Sequence, residues 1–277
     1  MTNLAKIVAF VAAFLIGDAV ECRAAESSPV VVEIESPLAS PHPLQGYLRQ
    51  TNRAGPSPAI VLLHSCNGNW RRLDERWGKR IVSWGYVTLT VDSFGPRGLK
   101  NCGDSAPLDL ATDAYRALNF LVRAPFVDPD RIAVLGFAQG GRVALMSVEH
   151  GAIEQTSPNK FRAAVAFYPP CRWFRGDATV PTLILIGERD DVNPAAACRD
   201  MVDGRDDMGM SRQRAEGAPI KLIVYPGAYH AFDALNLKTP REISGHHLEF
   251  NQSATNHSIE ALHDFLDATI GPKIEEK

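Results

Sequence analysis

Three short segments hold the residues with the most chemical potential. Gly136-Phe137-Ala138-Gln139-Gly140 directly follows the apolar run Ile132 to Gly136 and runs at once into a helical pattern. A strand, a glycine-bounded turn and a helix lift the central side chain above a sheet and toward the positive end of the helix. A Ser or Cys held there becomes an acyl-accepting nucleophile. The glycines are required because side chains in their place would collide with the strand and the helix. The centre of this frame is Ala138, a methyl group where a hydroxyl or thiol is expected. Further along, Gly187-Glu-Arg-Asp190-Asp-Val-Asn-Pro194 and Tyr225-Pro-Gly-Ala-Tyr-His230-Ala-Phe232 each follow a strand-like run. Nucleophile, acid, histidine is the chain order of one known triad arrangement. In it His230 would take and return a proton, while Asp190 would orient the imidazole and stabilise its charged form. Asp191 is the rival carboxylate, and either aspartate has the chemistry to cap a helix starting near Pro194.

Other loops that follow strand-like runs supply the remaining parts. His64-Ser65-Cys66-Asn67-Gly68 is suited to donate one oxyanion-hole amide, from Cys66, and Gln139 would donate the other. Ser65, Cys66 and Ser93 are the candidates for a nucleophile displaced from position 138, because all three follow strand ends. Arg97, in the turn Gly95-Pro96-Arg97-Gly98, would either bind an anionic substrate group or anchor the turn. His246, His247 and His257 read as a solvated loop and not as a metal site, since adjacent histidines on a regular element do not converge on one ion.

These loops need a scaffold, and the apolar spacing supplies one. Val30 to Ile34 and Gly46 to Arg49 read as early strands, an antiparallel edge. Pro58 to His64, Tyr86 to Asp92, Ile132 to Gly136, Ala163 to Tyr168, Thr182 to Ile186 and Lys221 to Tyr225 are nearly continuous apolar runs, the pattern of strands buried on both faces. Leu108, Ala111, Tyr115, Leu118 and Val122 follow helical spacing, as do Ile259, Leu262 and Leu266. Alternating buried strands and helices imply an α/β fold with a mostly parallel sheet covered on both faces. The polar stretches Asp200 to Glu216 and Lys238 to Asn256 read as excursions from that sheet, and no linker or repeat divides the chain.

Lys6 precedes an apolar run, Ile7 to Ile16, too short to span a bilayer and typical of a secretory leader, with cleavage expected after Ala24. Acylation at Cys22 is the less favoured variant, because Glu21 stands where a small residue belongs. Residues 25–277 are then one exported domain, periplasmic or secreted. The net charge, −3, is the same with or without the leader, and it offers no basic excess for nucleic acid or stable membrane insertion. Cys66, Cys102, Cys171 and Cys198 remain, an even set that suits two disulfides in an oxidising compartment and lacks the spacing of a zinc knuckle.

From about Pro58 to Leu266 the chain resembles the dienelactone hydrolase family of α/β-hydrolases. The likeness rests on His64 to Gly68, Asp92-Ser-Phe-Gly-Pro-Arg-Gly98, Gly136 to Gly141, Gly187 to Pro194 and Tyr225 to Phe232, in the family's order and spacing. It implies a Cys or Ser nucleophile at position 138, Asp190 as acid and His230 as base, acting on small-molecule esters or lactones without metal or organic cofactor. Family enzymes proper also hold a substrate carboxylate with arginines. Arg97 is one candidate, but Ala234 stands where a second would be. Pairing Cys66 with Cys102 and Cys171 with Cys198 would tie loops on the side of the candidate site.

Overall fold

A computed structural model describes residues 28–35, 44–103, 110–205 and 217–271. The expected leader, Leu108 of the first helical pattern and residues 206–216 of the first polar excursion lie outside them. Eight strands form one sheet in the order β1-β2-β4-β3-β5-β6-β7-β8. They are β1 (Val30–Ile34), β2 (Leu44–Arg49), β3 (Ser57–Leu63), β4 (Val87–Asp92), β5 (Val127–Phe137), β6 (Ala163–Phe167), β7 (Thr182–Gly187) and β8 (Ile220–Tyr225). β2 runs antiparallel to both of its neighbours and every other pairing is parallel. This is the mostly parallel α/β sheet that the apolar runs imply, in the architecture that the family resemblance implies.

Every residue of β3, β4, β6 and β7 is buried, as strands covered on both faces require. Alternation along β3 sends Ile60 and Leu62 to one face, with Trp77, Ile81, Leu262 and Leu266. Val61 and Leu63 go to the other, with Ala114, Leu118 and Val143. No helix among the described residues is long and apolar enough to cross a membrane.

β8 departs from its reading as a strand buried on both faces: it is the edge of the sheet, and only Tyr225 in it is buried. Two further segments depart from the sequence reading. Lys238 to Asn256 is not simply a loop. It holds a hairpin, β9 (Arg241–Ile243) against β10 (His246–Leu248), and the first turn of the helix Gln252–Ile270. Asn251 caps that helix by accepting the Ala254 N–H at 2.9 Å. The three histidines are therefore split: His246 and His247 lie on β10, and His257 is exposed on the helix. Asx capping and a three-residue hairpin act over too few residues to produce a periodic signal.

The second is a helical run that hydrophobic spacing did not announce: Trp70–Leu73, a π-helical turn Asp74–Gly78, and Lys79–Ser83. Leu73, Trp77 and Ile81 bury its apolar stripe. Between them Asp74, also buried, accepts Arg49 Nη2 at 2.7 Å and Nε at 3.1 Å, and Thr90 Oγ1 donates to it at 3.3 Å. A buried ion pair of this kind masks the helical pattern, because a charge stands where an apolar residue would be expected. Removing one partner strands the other charge in the interior. We therefore expect Asp74→Leu to destabilise the fold by about 3–5 kcal/mol in urea titrations, and the double change Arg49→Met with Asp74→Leu to recover most of that loss.

Candidate active site

The elbow forms where β5 ends. Ala138 sits at φ 50° and ψ −110°, outside the regions comfortable for a residue with a Cβ, and its N–H donates to the Phe167 carbonyl at 2.9 Å. The helix Gln139–Met146 begins at the next residue. A Cβ on Gly136 would overlap the Gly140 carbonyl. One on Gly140 would overlap the Leu63 carbonyl and lie 2.7 Å from that of His64. The two glycines are thus imposed by contact, as the sequence frame requires.

Asp190 and His230 come together from the ends of β7 and β8. Asp190 Oδ2 accepts His230 Nδ1–H at 2.8 Å, with both residues buried. Its other oxygen, Oδ1, accepts the N–H groups of Val192 at 3.0 Å and Asn193 at 2.7 Å. One carboxylate therefore both shapes its own loop and fixes the imidazole by Nδ1, so that its bond does not occupy Nε2. Asp191, the rival, is exposed and meets His246 Nδ1 at 3.4 Å.

A second buried carboxylate, which sequence reasoning missed, braces the same loop. Asp233 Oδ1 accepts the Tyr168 hydroxyl at 2.8 Å. Its Oδ2 accepts Trp77 Nε1–H at 3.0 Å and lies 3.4 Å from Arg76 Nη1. Tyr168, at φ 39°, packs edge-on against His230 with ring centroids 4.7 Å apart, and its carbonyl accepts Asn193 Nδ2–H at 2.8 Å. Burial, then the neighbouring Asp233 charge, push the Tyr168 phenol well above its ordinary range, so it remains a donor. The available signal was an aspartate set among Ala231, Phe232 and Ala234, where a charge is costly unless paired.

The loop after β3 reaches the elbow through the close approach of His64 to Gly140. The Gln139 N–H, at the first position of its helix, has no intrahelical acceptor. Cys66 is bonded to Cys102, with the Cys102 N–H also donating to the Cys66 carbonyl at 2.9 Å. A sulfur so bonded is no thiol nucleophile. Ser65 Oγ donates to Asn67 Oδ1 at 2.7 Å. Cys171 and Cys198 form the second disulfide, joining the segment after β6 to the helix Ala195–Val202. Among the described residues no cluster of His, Cys, Asp and Glu is arranged to hold a metal ion.

Residues 44–270 match the dienelactone hydrolase family. The chain belongs to that family. It is also 29% identical over 220 residues to an uncharacterised protein of Mycobacterium tuberculosis, covering 73% of this chain and 71% of the relative. Among solved structures, esterase 2 of Thermogutta terrifontis, phosphorylated by paraoxon, superposes with a TM-score of 0.65 at 18% identity, over 90% of this chain and 97% of that one. A dienelactone hydrolase-like promiscuous phosphotriesterase from metagenomic libraries gives 0.62 at 19%, over 88% and 100%. At such identities these structures speak for the fold.

In this dienelactone hydrolase family member Arg97 is turned inward. Its Nη1 and Nη2 donate to the two oxygens of Asp113 at 2.6 and 2.8 Å, and Nη1 also donates to the Ser93 carbonyl. That geometry is the anchoring half of the alternative drawn from the sequence. Beside it, buried His64 donates from Nδ1 to the Ser65 carbonyl at 2.8 Å and accepts the Ser93 N–H on Nε2 at 3.3 Å. The neutral ring satisfies both contacts, whereas a protonated ring would face the Ser93 donor with a second donor. Burial, the largest influence, lowers its pKa below the ordinary 6.5 despite the Ser65 carbonyl and the Asp92 and Asp113 charges. The unfolded chain therefore binds this proton first as pH falls. Stability contributed by neutral His64 is complete above about pH 6.5 and declines below it. Urea midpoints measured from pH 7.5 to 5 should fall more steeply for wild type than for His64→Gln.

Proposed function

We propose that the chain is a family member whose pocket takes small-molecule esters or lactones, with turnover crippled because position 138 offers no attacking atom. The carrying observation is an intact Asp190–His230 hydrogen bond, 2.8 Å, together with a strand-to-helix elbow whose central residue, at φ 50°, bears only a methyl group. In this reading His230 acts as base and then acid, Asp190 keeps its tautomer and stabilises its cation, and the amides of Cys66 and Gln139 hold the oxyanion. No cofactor enters the scheme. Losing a triad nucleophile typically costs about six orders of magnitude in kcat and leaves roughly 10³–10⁴ over water, so ligand binding outlives catalysis.

Hydrolysis of p-nitrophenyl acetate tests this. Wild type should be near background, while Ala138→Ser or Ala138→Cys should raise kcat/KM by about 10³ or more, and adding His230→Ala should abolish the gain. If both variants stay silent, Asp190 and His230 are not a working pair. A fluorophosphonate adduct on Ser65 or Ser93 of wild type would instead establish a displaced nucleophile.

We also infer that residues 1–24 are a leader removed on export and that 25–277 form one domain. Two disulfides support an oxidising destination. Protein expressed with its leader in a secretion-competent host should begin at Ala25 on N-terminal sequencing.

A further inference from the structure

One face of the helical run Trp70 to Ser83 meets the site above only through Arg76. Opposite its buried stripe, Arg72, Arg76, Lys79 and Arg80 line an open cavity of about 780 Å³, across which stand Leu235 and Asn236 from the loop after His230. A chain of net charge −3 thus gathers four cations on one wall. The one carboxylate among them, Glu75, is drawn toward Arg49 Nη2 at 3.3 Å, and Arg76 is held by Asp233 at 3.4 Å. Arg72 and Arg80 are exposed and make no ion pair among the described residues. Solvation alone accounts poorly for this wall. Like charges one helical turn apart oppose the helix that carries them, and the run adopts a π-helical turn in the middle of the stripe, a distortion often found at functional sites.

We propose that this groove binds a small phosphate-bearing molecule with an apolar substituent. The forks of Arg72 and Arg80 suit phosphate oxygens. This set balances a dianion better than the single charge of a carboxylate. Leu235, 55% exposed, offers the apolar group a surface, and Asn236 offers an amide. Neither Ala138 nor His230 lines the groove, although Asp233 links it to the histidine loop: it holds Arg76 on one side and Tyr168, beside His230, on the other. The inference does not depend on the proposed hydrolase chemistry, and binding rather than turnover tests it.

The experiment is calorimetric titration of the purified protein with phenyl phosphate, inorganic phosphate and benzoate in about 0.15 M NaCl, where surface attraction is well screened. Phenyl phosphate should bind saturably, and benzoate at least about tenfold more weakly. Arg72→Gln with Arg80→Gln should weaken phenyl phosphate about tenfold or more while leaving the thermal midpoint in place. Arg123→Gln with Arg175→Gln, exposed cations elsewhere, should change neither quantity. Leu235→Ser should remove the advantage of phenyl phosphate over inorganic phosphate. The proposal is overturned by an absence of saturable binding, or by equal affinity in the Arg72/Arg80 variant, which would place the ligand elsewhere. It is overturned equally if only phosphatidylglycerol vesicles bind, which would assign the patch to a lipid surface.

Discussion

The first turn of the helix Gln139–Met146 lies against the ends of β3 and β5 with backbone meeting backbone. At Gly140 the neighbours are the carbonyls of Leu63 and His64, and at Gly136 the neighbour is Gly140 itself. With no side-chain thickness to spare on either side, the chain must reverse within one residue, and the positive φ of Ala138 follows. A non-glycine residue held this way costs on the order of 1–3 kcal/mol, so the surroundings must over-determine it. The Phe167 carbonyl, taking the Ala138 N–H, is part of that constraint. What maintains the elbow is therefore packing, which acts whether or not a hydroxyl is present. The same approach draws the loop after β3 up to the elbow.

Around this fixed point, two buried carboxylates hold the histidine loop from different directions. Asp190 divides its oxygens between the imidazole and two amides of its own loop, so the loop cannot shift without releasing His230. Asp233 collects an indole and a guanidinium from one turn, Trp77 and Arg76, and a phenol, Tyr168, from the segment after β6. Together they tie the ends of β6, β7 and β8 to the helical run Trp70 to Ser83. The imidazole is positioned by polar contacts that are individually modest but share atoms, an arrangement in which removing one partner is felt by the others.

Fold and site were not equally legible in the sequence. The buried strands were plain because their apolar runs are continuous, and β5 was read short, from Ile132 to Gly136, chiefly because Asp128, Pro129 and Asp130 interrupt the run. Gly136, Gly140, Asp190 and His230 were findable because each lies at or just after a strand end whose position the pattern fixes. Asp233, Asp74 and Arg49 were not, since a charge reads as surface until the structure shows its partner. Arg97 left two roles open because a guanidinium within a glycine turn suits either, and the deciding residue, Asp113, lies on a helix sixteen positions away. The hairpin Arg241 to Leu248 escaped notice because three-residue strands carry no usable period.

The two disulfides sit at the same end of the sheet. One joins the loop after β3 to the segment after β4, and the other joins the segment after β6 to the helix after β7. The body of the domain closes by burying apolar surface, a process indifferent to redox conditions. The rim closes by oxidation. A reductant would therefore loosen the loops at this end of the sheet while leaving the apolar core closed. The stiffness of the rim thus depends on a condition of the surroundings to which the core is indifferent.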